Sequence, residues 1–247
     1  MNLPRVLFKG KYNLKNIETK FSNTSNRKIN LSLESKLQKE WKQILREVTK
    51  RGIKAWDSNL YRLDNFEAQK DKLSLTLSTI PFSISKSMNR YLDNLYKLGE
   101  DYFSKSLFTE SLIKTSDNKY VFGKLTTNYL TSRKIDLIGG VLSKDEQIVK
   151  NGKDVFKALF TEFKEEINIS EKHIKSSILI GTVLTPKTKV GLIFDTCLSI
   201  SSRSLIHHFK RSENDEIEDL ILVDKIDLMN TIDKTAEYRT EIEQLLA

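Results

Sequence analysis

The sequence IDLIGG at residues 135–140, a polar segment, and then ALFTEFKEEINI at residues 158–169 predict a strand, a glycine turn and an amphipathic helix. On that helix Glu162, Glu165 and Glu166 stand at i, i+3 and i+4 and share one face. The opposite face carries an apolar stripe of Phe156, Phe160, Phe163 and Ile167. Each adjacent pair of like charges costs about 0.2–0.5 kcal/mol without a compensating cation. Mg²⁺ is a natural compensation, since it takes one or two carboxylates and fills its other positions with water and substrate phosphate.

The same glutamate pattern has a simpler interpretation. Charged residues make up 30% of the chain, and E-x-x-E-E on a helix is by itself most often a solvated surface. The apolar strand and the Gly139-Gly140 pair ahead of the helix change the balance, because together they reproduce the strand-loop-helix order of a known enzyme family that this stretch resembles. The sequence therefore predicts a metal site at this helix.

This stretch resembles the Nudix box, whose pattern is G-x5-E-x7-R-E-U-x-E-E-x-G-U with U aliphatic. The matching residues are Gly140 at the opening glycine, Glu162 after the motif arginine, Phe163 at an apolar position, Glu165 and Glu166 at the paired glutamates, and Ile169 at the end. Thr161 stands where the family has arginine. Asn168 stands at the second glycine, a mild change because Asn tolerates the left-handed conformation that ends a helix.

The first glutamate of the box has two candidate positions, because this chain carries an insertion ahead of the helix. Glu146 satisfies the G-x5-E spacing from Gly140. If the insertion lies before that slot, Lys153 or Asp154 occupies it instead. Both alignments stay open at the level of sequence.

The region before the box resembles a narrower branch, the Nudix enzymes that hydrolyse UDP-glucose and UDP-galactose. The resemblance is carried by Trp41, by residues 56–63 (WDSNLYRL), by the strand at 73–79 with Phe82, and by Asn89. It implies a Mg²⁺-dependent diphosphatase, with Mn²⁺ as an alternative ion, that releases UMP and sugar 1-phosphate. It implies an α+β fold in which a mixed sheet lies between helices, with an N-terminal α+β extension at residues 1–105 and the hydrolase domain at residues 106–247.

The resemblance also assigns roles to residues. The expected catalytic residues are Glu162, Glu165 and Glu166, and the expected metal ligands are Glu162, Glu166, Glu216 and the backbone carbonyl of Gly139. Lys124, Arg133 and Lys134 lead into the glycine pair, so we expect at least one of them to contact substrate phosphates, and Asn89 is the fourth expected substrate-binding residue. The alternatives are a Nudix hydrolase for ADP-ribose, a dinucleotide or capped RNA, and a Nudix-fold binding module that has lost catalysis, for which Thr161 is the sequence hint.

The net charge of +8 is concentrated near the N-terminus. Residues 1–55 contain 14 Lys and Arg against 4 Glu, and a basic amphipathic helix is predicted from about residue 33 to residue 50. Such a helix can bind nucleic acid or an acidic membrane surface, but a lysine-rich solvated face is the commoner outcome, and a small-molecule nucleotide is the expected partner.

The remaining patterns are those of an ordinary globular protein. The sequence has no apolar run long enough for a membrane span and no apolar signal core, so we expect a cytoplasmic protein; its oligomeric state stays open. Further strands are predicted at 61–63, 73–77, 108–114, 119–124, 177–184, 190–200 and 217–223, and further helices at 87–106, 202–208 and the C-terminus.

Overall fold

The fold is a mixed α+β arrangement built on two sheets. The computed structural model describes residues 4–52, 56–126, 134–235 and 237–247. The strands are β1 Arg5–Tyr12, β2 Ile17–Phe21, β3 Asn59–Gln69, β4 Lys72–Pro81, β5 Leu107–Lys114, β6 Tyr120–Leu125, β7 Ile135–Asp136, β8 Ile174–Leu184, β9 Val190–Leu198 and β10 Ile217–Val223. The helices are α1 Leu31–Lys50, α2 Phe82–Met88, α3 Leu92–Leu98, α4 Gly152–Ile167, α5 Ser202–Phe209, α6 Leu228–Thr235 and α7 Arg239–Leu246.

The larger sheet runs in the order β1-β8-β9-β5-β6-β10, and β7 pairs with β6. Strands β5 and β9 are parallel, while the other pairs of this sheet are antiparallel. The smaller sheet runs β2-β4-β3, with β2 parallel to β4. The prediction of a mixed sheet is confirmed.

Helices cover both faces of the larger sheet. The apolar residues of α4, such as Leu159 and Phe163, are fully buried in a cluster that includes Leu192 and Phe194 of β9. Residues of α6 and α7 lie in a second cluster, which contains Ile193, the next residue of the same strand. Because successive side chains of a strand point to opposite faces, α4 and the α6–α7 pair lie on opposite sides of the sheet. The prediction of a sheet between helices is confirmed.

The N-terminal segment is connected to the rest of the molecule by backbone pairing. Strand β1 pairs with β8 at the edge of the larger sheet, and the bridge between Leu60 and Ser143 links β3 to the segment after the glycine pair. The larger core cluster also includes residues from both sheets. The division at residue 105 stays a prediction.

The predicted helix at 87–106 is wrong in extent. The chain forms α2 and α3, separated at Asn89 to Tyr91, and then a short 3₁₀ turn at Glu100–Tyr102. Helix α3 ends at Gly99, whose φ of 100° lies outside the helical range. The sequence pattern missed α6 as well.

Local sequence fixes both ends of α4. Asn151 and Asp154 form a capping box at its start. At its end Asn168 adopts the left-handed conformation with φ 54°, as the sequence predicts, and its backbone N–H donates to the carbonyl of Phe163. The Asn168 side chain accepts from Lys164 Nζ at 2.8 Å and donates to the carbonyl of His208 at 3.1 Å. These contacts set the direction in which the chain leaves the glutamate helix.

We therefore expect Asn168→Ala to lower the free energy of unfolding by about 1–2 kcal/mol, because alanine pays the left-handed strain and loses both side-chain hydrogen bonds. Asn168→Gly should cost less, since glycine removes the strain and loses only the hydrogen bonds. Urea unfolding of the three proteins measures the difference. An alanine variant as stable as the glycine variant would contradict this account of the helix end.

Candidate active site

The glycine pair lies where β5 and β6, two strands of the larger sheet, no longer pair with each other. Strand β5 pairs with β6 only near its C-terminal end, at Ile113 and Lys114. Nearer its start, β5 pairs instead with the segment that follows β7: Thr109 N donates to the carbonyl of Gly140 at 2.8 Å, and Ser111 N to that of Ile138 at 3.0 Å. The backbone of residues 138–141 is thus held between β5 and β6, at the edge of a cleft.

Other atoms approach both glycines closely, the backbone of β5 at Gly139 and a side chain at Gly140. Gly139 has a φ of 152°, and a Cβ there would lie 2.0 Å from the carbonyl oxygen of Thr109. A Cβ on Gly140 would lie 2.2 Å from Oε1 of Glu162. The Glu162 carboxylate therefore rests directly against the backbone of Gly140, which joins the helix glutamates to the glycine turn.

Glu166 is the more deeply placed of the helix glutamates, with 7% of its surface exposed. Its Oε2 accepts a hydrogen bond from Gly139 N at 3.0 Å. Burial first, and then the charge of Glu162, raise its pKa well above the ordinary value; Glu216 and Asp136 add to the rise, while the Gly139 hydrogen bond opposes it.

Glu162 is half-buried beside it. Its pKa is raised to about 8, chiefly by burial and then by the charges of Glu165, Glu216 and Glu146. Among the described residues, every charged group that shifts the pKa of Glu162 or Glu166 is thus a carboxylate. The site is poised to take up protons or a cation.

The third helix glutamate and Glu216 differ in position. Glu165 is exposed, as is Thr161, so the predicted trio does not converge completely. Glu216 is half-buried, lines the cleft, and its backbone carbonyl accepts from Thr126 N at 2.8 Å. Asp136 also lines this end of the cleft, and sequence reasoning missed it because a single Asp at the end of a short strand has no distinguishing pattern.

The residues present fit a hard divalent ion. Within the described ranges, no three His, Cys, Asp or Glu side chains are gathered tightly enough to form a complete metal cage. Mg²⁺ does not need one, since it is usually bound through one or two carboxylates together with water and substrate phosphate. Glu162 and Glu166 supply two carboxylates. A bound cation would offset the unfavourable free energy of burying them.

The structure also separates the two candidates for the first glutamate of the box. Asp154 is occupied by the capping box, where its carboxylate accepts from the backbone N–H groups of Lys150 and Asn151. Glu146 lines the cleft and its charge acts on Glu162. The alignment through Glu146 therefore places a carboxylate at the site, whereas the alignment through Asp154 does not.

The four predicted substrate-binding residues lie in different places. Asn89 lines the cleft, and its buried Oδ1 has no hydrogen-bond partner among the described residues. Lys124 is exposed on β6, where it pairs with Glu218 at 3.3 Å, and neither Lys124 nor Lys134 lines the cleft. Arg133 lies outside the described residues. Asn89 is thus the one of the three described that faces the space in which a substrate would bind.

The cleft has a volume of about 1000 Å³ and continues well beyond the glutamates. Its lining includes Phe108, Glu110 and Tyr238, and the Tyr238 hydroxyl donates to the Glu110 carboxylate. Tyr238 is contributed by the start of α7, so the C-terminal helix forms part of the wall. Ligand pockets of this kind usually span about 300–1,000 Å³, so the space is large enough for a whole nucleotide derivative.

Trp56 lies at the surface and not in the core. Its neighbours in sequence suggest a buried anchor, but 66% of its surface is exposed and it lies at the mouth of the cleft. Trp41 is half-buried and packs edge-on against Phe82, with ring centroids 5.8 Å apart. An exposed tryptophan at a cleft mouth is available to stack on a planar ligand.

Comparisons with known proteins give weak similarities. No family model matches the sequence, and no curated protein matches it. Among solved structures, a Nudix hydrolase from Nitrosomonas europaea shares 11% identity, with a TM-score of 0.39, over 57% of this chain and 86% of that one. The MutT protein from Methanosarcina mazei Go1 shares 16% identity, with a TM-score of 0.36, over 56% and 91% of the two chains. DR0079 from Deinococcus radiodurans shares 11% identity, with a TM-score of 0.41, over 56% and 80%. Similarity at this level carries no argument about activity, which has to come from the site.

No helix of the described residues combines the length and apolar character needed to cross a bilayer.

We expect the two glycines to respond differently to alanine. Gly140→Ala places its Cβ against the movable end of Glu162, so the protein should fold while its affinity for Mg²⁺ falls by about tenfold or more. Gly139→Ala meets the rigid backbone of β5 at a positive φ and should cost about 1–3 kcal/mol of stability or more. Calorimetric Mg²⁺ titration and thermal unfolding test the pair. Unchanged Mg²⁺ affinity in Gly140→Ala would contradict the placement of Glu162.

The raised pKa values predict a pH-dependent stability in the metal-free protein. Glu162 has a folded pKa of about 8 against an ordinary value of 4.5, so the folded state holds more protons than the unfolded state between these values. The contribution of Glu162 to the free energy of unfolding is therefore fully present below about pH 4.5 and is lost as the pH rises towards 8. Melting temperatures in EDTA should fall across this window in the wild type and fall less in Glu162→Gln. The exposed Glu171→Gln serves as control, and equal slopes in all three proteins would contradict the prediction.

Proposed function

We propose that the protein is a Mg²⁺-dependent hydrolase of the Nudix type that cleaves the diphosphate of a nucleoside diphosphate sugar. The products are a nucleoside monophosphate, UMP for a uridine substrate, and a sugar 1-phosphate. The observation that carries the proposal is the pair Glu162 and Glu166, buried against the glycine turn with raised pKa values at one end of a large cleft. The preference for a uridine-linked sugar rests on the sequence resemblance at residues 56–63 and 73–89 alone.

The residues that would hold the metal are Glu162, Glu166 and Glu216, together with the backbone carbonyl of Gly139. A bound Mg²⁺ supplies positive charge that offsets the charge developing on the phosphate oxygens. The protein itself holds two carboxylates in positions where neither side chain can turn fully into solvent. The Gly139 N–H fixes the position of Glu166 Oε2.

Hydrolysis requires one proton acceptor in addition to the metal ligands. The oxygen of water forms a new bond to one phosphorus, the bridging P–O bond breaks, and the water's proton passes to a base. Glu216 lines the cleft and its charge acts on both Glu162 and Glu166, so it is close enough to them to serve as that base or as an additional ligand. Glu165 is exposed beside Glu162 and is the other candidate.

A binding module without catalysis is the second candidate. It is favoured by Thr161, which is exposed on α4 where the Nudix box has an arginine that orients the glutamates. In this case the cleft would bind nucleotide without releasing product.

One experiment separates these functions. Wild type, Glu166→Gln and the control Glu171→Gln are incubated with UDP-glucose, ADP-ribose or capped RNA in the presence of Mg²⁺, and products are separated by chromatography. We expect the wild type and the control to release UMP and glucose 1-phosphate, and Glu166→Gln to be slower by at least about 100-fold, since even residues that only support metal ligands contribute 10–100-fold.

The other outcomes are equally informative. Turnover of ADP-ribose or capped RNA instead would keep the hydrolase and replace the substrate. Binding of nucleotide with all three substrates intact would overturn the hydrolase in favour of the binding module.

A further inference from the structure

Basic residues also line the cleft, together with the carboxylates of Glu110 and Glu237. Lys86 comes from α2, Lys187 and Lys189 come from the turn between β8 and β9, and Arg51 follows α1. These residues are far apart in sequence, so their common position is a property of the fold. We call Lys86, Lys187 and Lys189 the lysine cluster.

The turn that carries two of these lysines is held in a strained conformation. Thr188 has a φ of 61°, which is unusual for a β-branched residue, and it is completely buried. Its carbonyl accepts from Lys105 N at 2.8 Å and from Ser104 Oγ at 3.0 Å. The carbonyl of Pro186 accepts from the Tyr96 hydroxyl. Segments outside the hairpin therefore fix the turn, and with it the base of both lysine side chains.

A second hairpin shows what the same turn looks like elsewhere. The turn between β5 and β6 has the same hydrogen bonds: Thr115 N donates to the Lys119 carbonyl as Thr185 N donates to that of Lys189. In each turn the threonine hydroxyl also accepts from the backbone N–H of the lysine. The left-handed position holds Asn118 in one and Thr188 in the other. Asn suits this conformation and Thr does not, so the β8–β9 turn carries strain that its sister turn avoids.

The charges of the lysine cluster act on one another. Burial lowers the pKa of Lys86, and the charge of Lys187 lowers it further. Lys187 also pairs with Glu237, with Nζ and Oε1 2.6 Å apart, and both side chains remain partly exposed. The repulsion between Lys86 and Lys187 is unfavourable, and a bound anion would offset this cost just as a cation offsets it at the glutamates.

The lysine cluster is well separated from the glycine pair. Lys189 and Gly140 flank β5 on opposite sides, at the levels of Ser106 and Thr109. Two strand spacings of about 4.8 Å and three residues of about 3.3 Å place their backbones about 14 Å apart. Two adjacent phosphates of one diphosphate are much closer together than this.

We propose that the lysine cluster binds a second phosphate group of the substrate, separate from the diphosphate that is cleaved. The identity of that substrate rests on the proposed function, whereas the capacity to bind a phosphate anion does not. Lysine ammonium groups bind phosphate as point charges through charge-assisted hydrogen bonds. The cleft thus receives a ligand with a metal-bound phosphate group at one end and a lysine-bound phosphate at the other.

The first test uses inorganic pyrophosphate and metal-free protein in EDTA at low ionic strength, followed by calorimetry. Without metal the glutamates offer no cation to which a phosphate could bind, so binding reports the lysine cluster. We expect the wild type to bind pyrophosphate and Lys187→Gln to bind about tenfold more weakly. Glu237→Gln removes the carboxylate that competes for Lys187 and should bind more tightly. If the two substitutions acted only by disturbing the structure, they would not change the affinity for pyrophosphate in opposite directions.

Lys119→Gln is the matched control. Lys119 lies in the sister turn and pairs with Asp224 at 2.8 Å, and its side chain is 37% exposed, against 36% for Lys187. We expect it to bind pyrophosphate like the wild type. Absence of binding in the wild type would overturn the proposal, as would equal affinities in Lys187→Gln and Lys119→Gln.

The second test addresses the substrate. A nucleoside diphosphate sugar is compared with its derivative that carries one phosphate monoester on the sugar. We expect the derivative to have a KM about tenfold lower than the unphosphorylated sugar nucleotide in the wild type, and we expect that advantage to disappear in Lys187→Gln. Equal KM values in the wild type would contradict a second phosphate on the sugar side. If hydrolysis itself is absent, the pyrophosphate titration still decides whether the cluster binds phosphate, so failure of the proposed function is distinguishable from failure of this proposal.

Discussion

The burial of two carboxylates against a glycine turn is the interaction on which the site depends. Glu162 and Glu166 lie one helical turn apart, and the charge of Glu162 raises the pKa of Glu166, while burial is the largest cause of the raised pKa of both. A surface helix would let both side chains turn into water, where such a pair costs only a few tenths of a kcal/mol. Here Gly140 lies against one carboxylate and Gly139 N binds the other, so the repulsion is retained within the folded state.

The rest of the fold holds this arrangement in place. Strand β5 pairs with β9 on one side. On its other side it pairs first with the glycine segment and then, near its C-terminal end, with β6. Helix α4 is fixed by its capping box at one end and by Asn168 at the other, so the register of its glutamates against the turn is set. At the other end of the cleft, the β8–β9 turn is held by hydrogen bonds from Ser104, Lys105 and Tyr96. Two sites of opposite charge therefore face one space, about 14 Å apart by strand geometry.

Local patterns predicted the parts of this site that lie close together in sequence. The spacing of Glu162 and Glu166, the glycine pair, and Asn168 in a left-handed conformation all follow from rules that act within a few residues. The exposure of Glu165 does not, because three glutamates on one helical face cannot all lie beneath the same turn. The exposure of Trp56 does not follow from its sequence either, because solvent exposure is decided by tertiary packing.

The lysine cluster lay beyond the reach of sequence for a related reason. Lys86, Lys187 and Lys189 belong to elements that meet only in the folded chain, in a protein whose lysines are numerous throughout. The strained Thr188 was hidden as well, since nothing in Thr185–Lys189 shows that a β-branched residue occupies the left-handed position. The similarity of this turn to Thr115–Lys119 became visible only through the hydrogen bonds that the two hairpins share.

The most direct test of the central claim counts protons. Metal binding displaces protons from its ligands, and Glu162, with a pKa of about 8, holds a proton near neutral pH in the metal-free protein. Calorimetric titration with Mg²⁺ at pH 7, in buffers of different ionisation enthalpy, measures how many are released. The account predicts release of about one proton in the wild type and fewer in Glu162→Gln. Binding of Mg²⁺ with no proton released, or no Mg²⁺ binding at all, would contradict it.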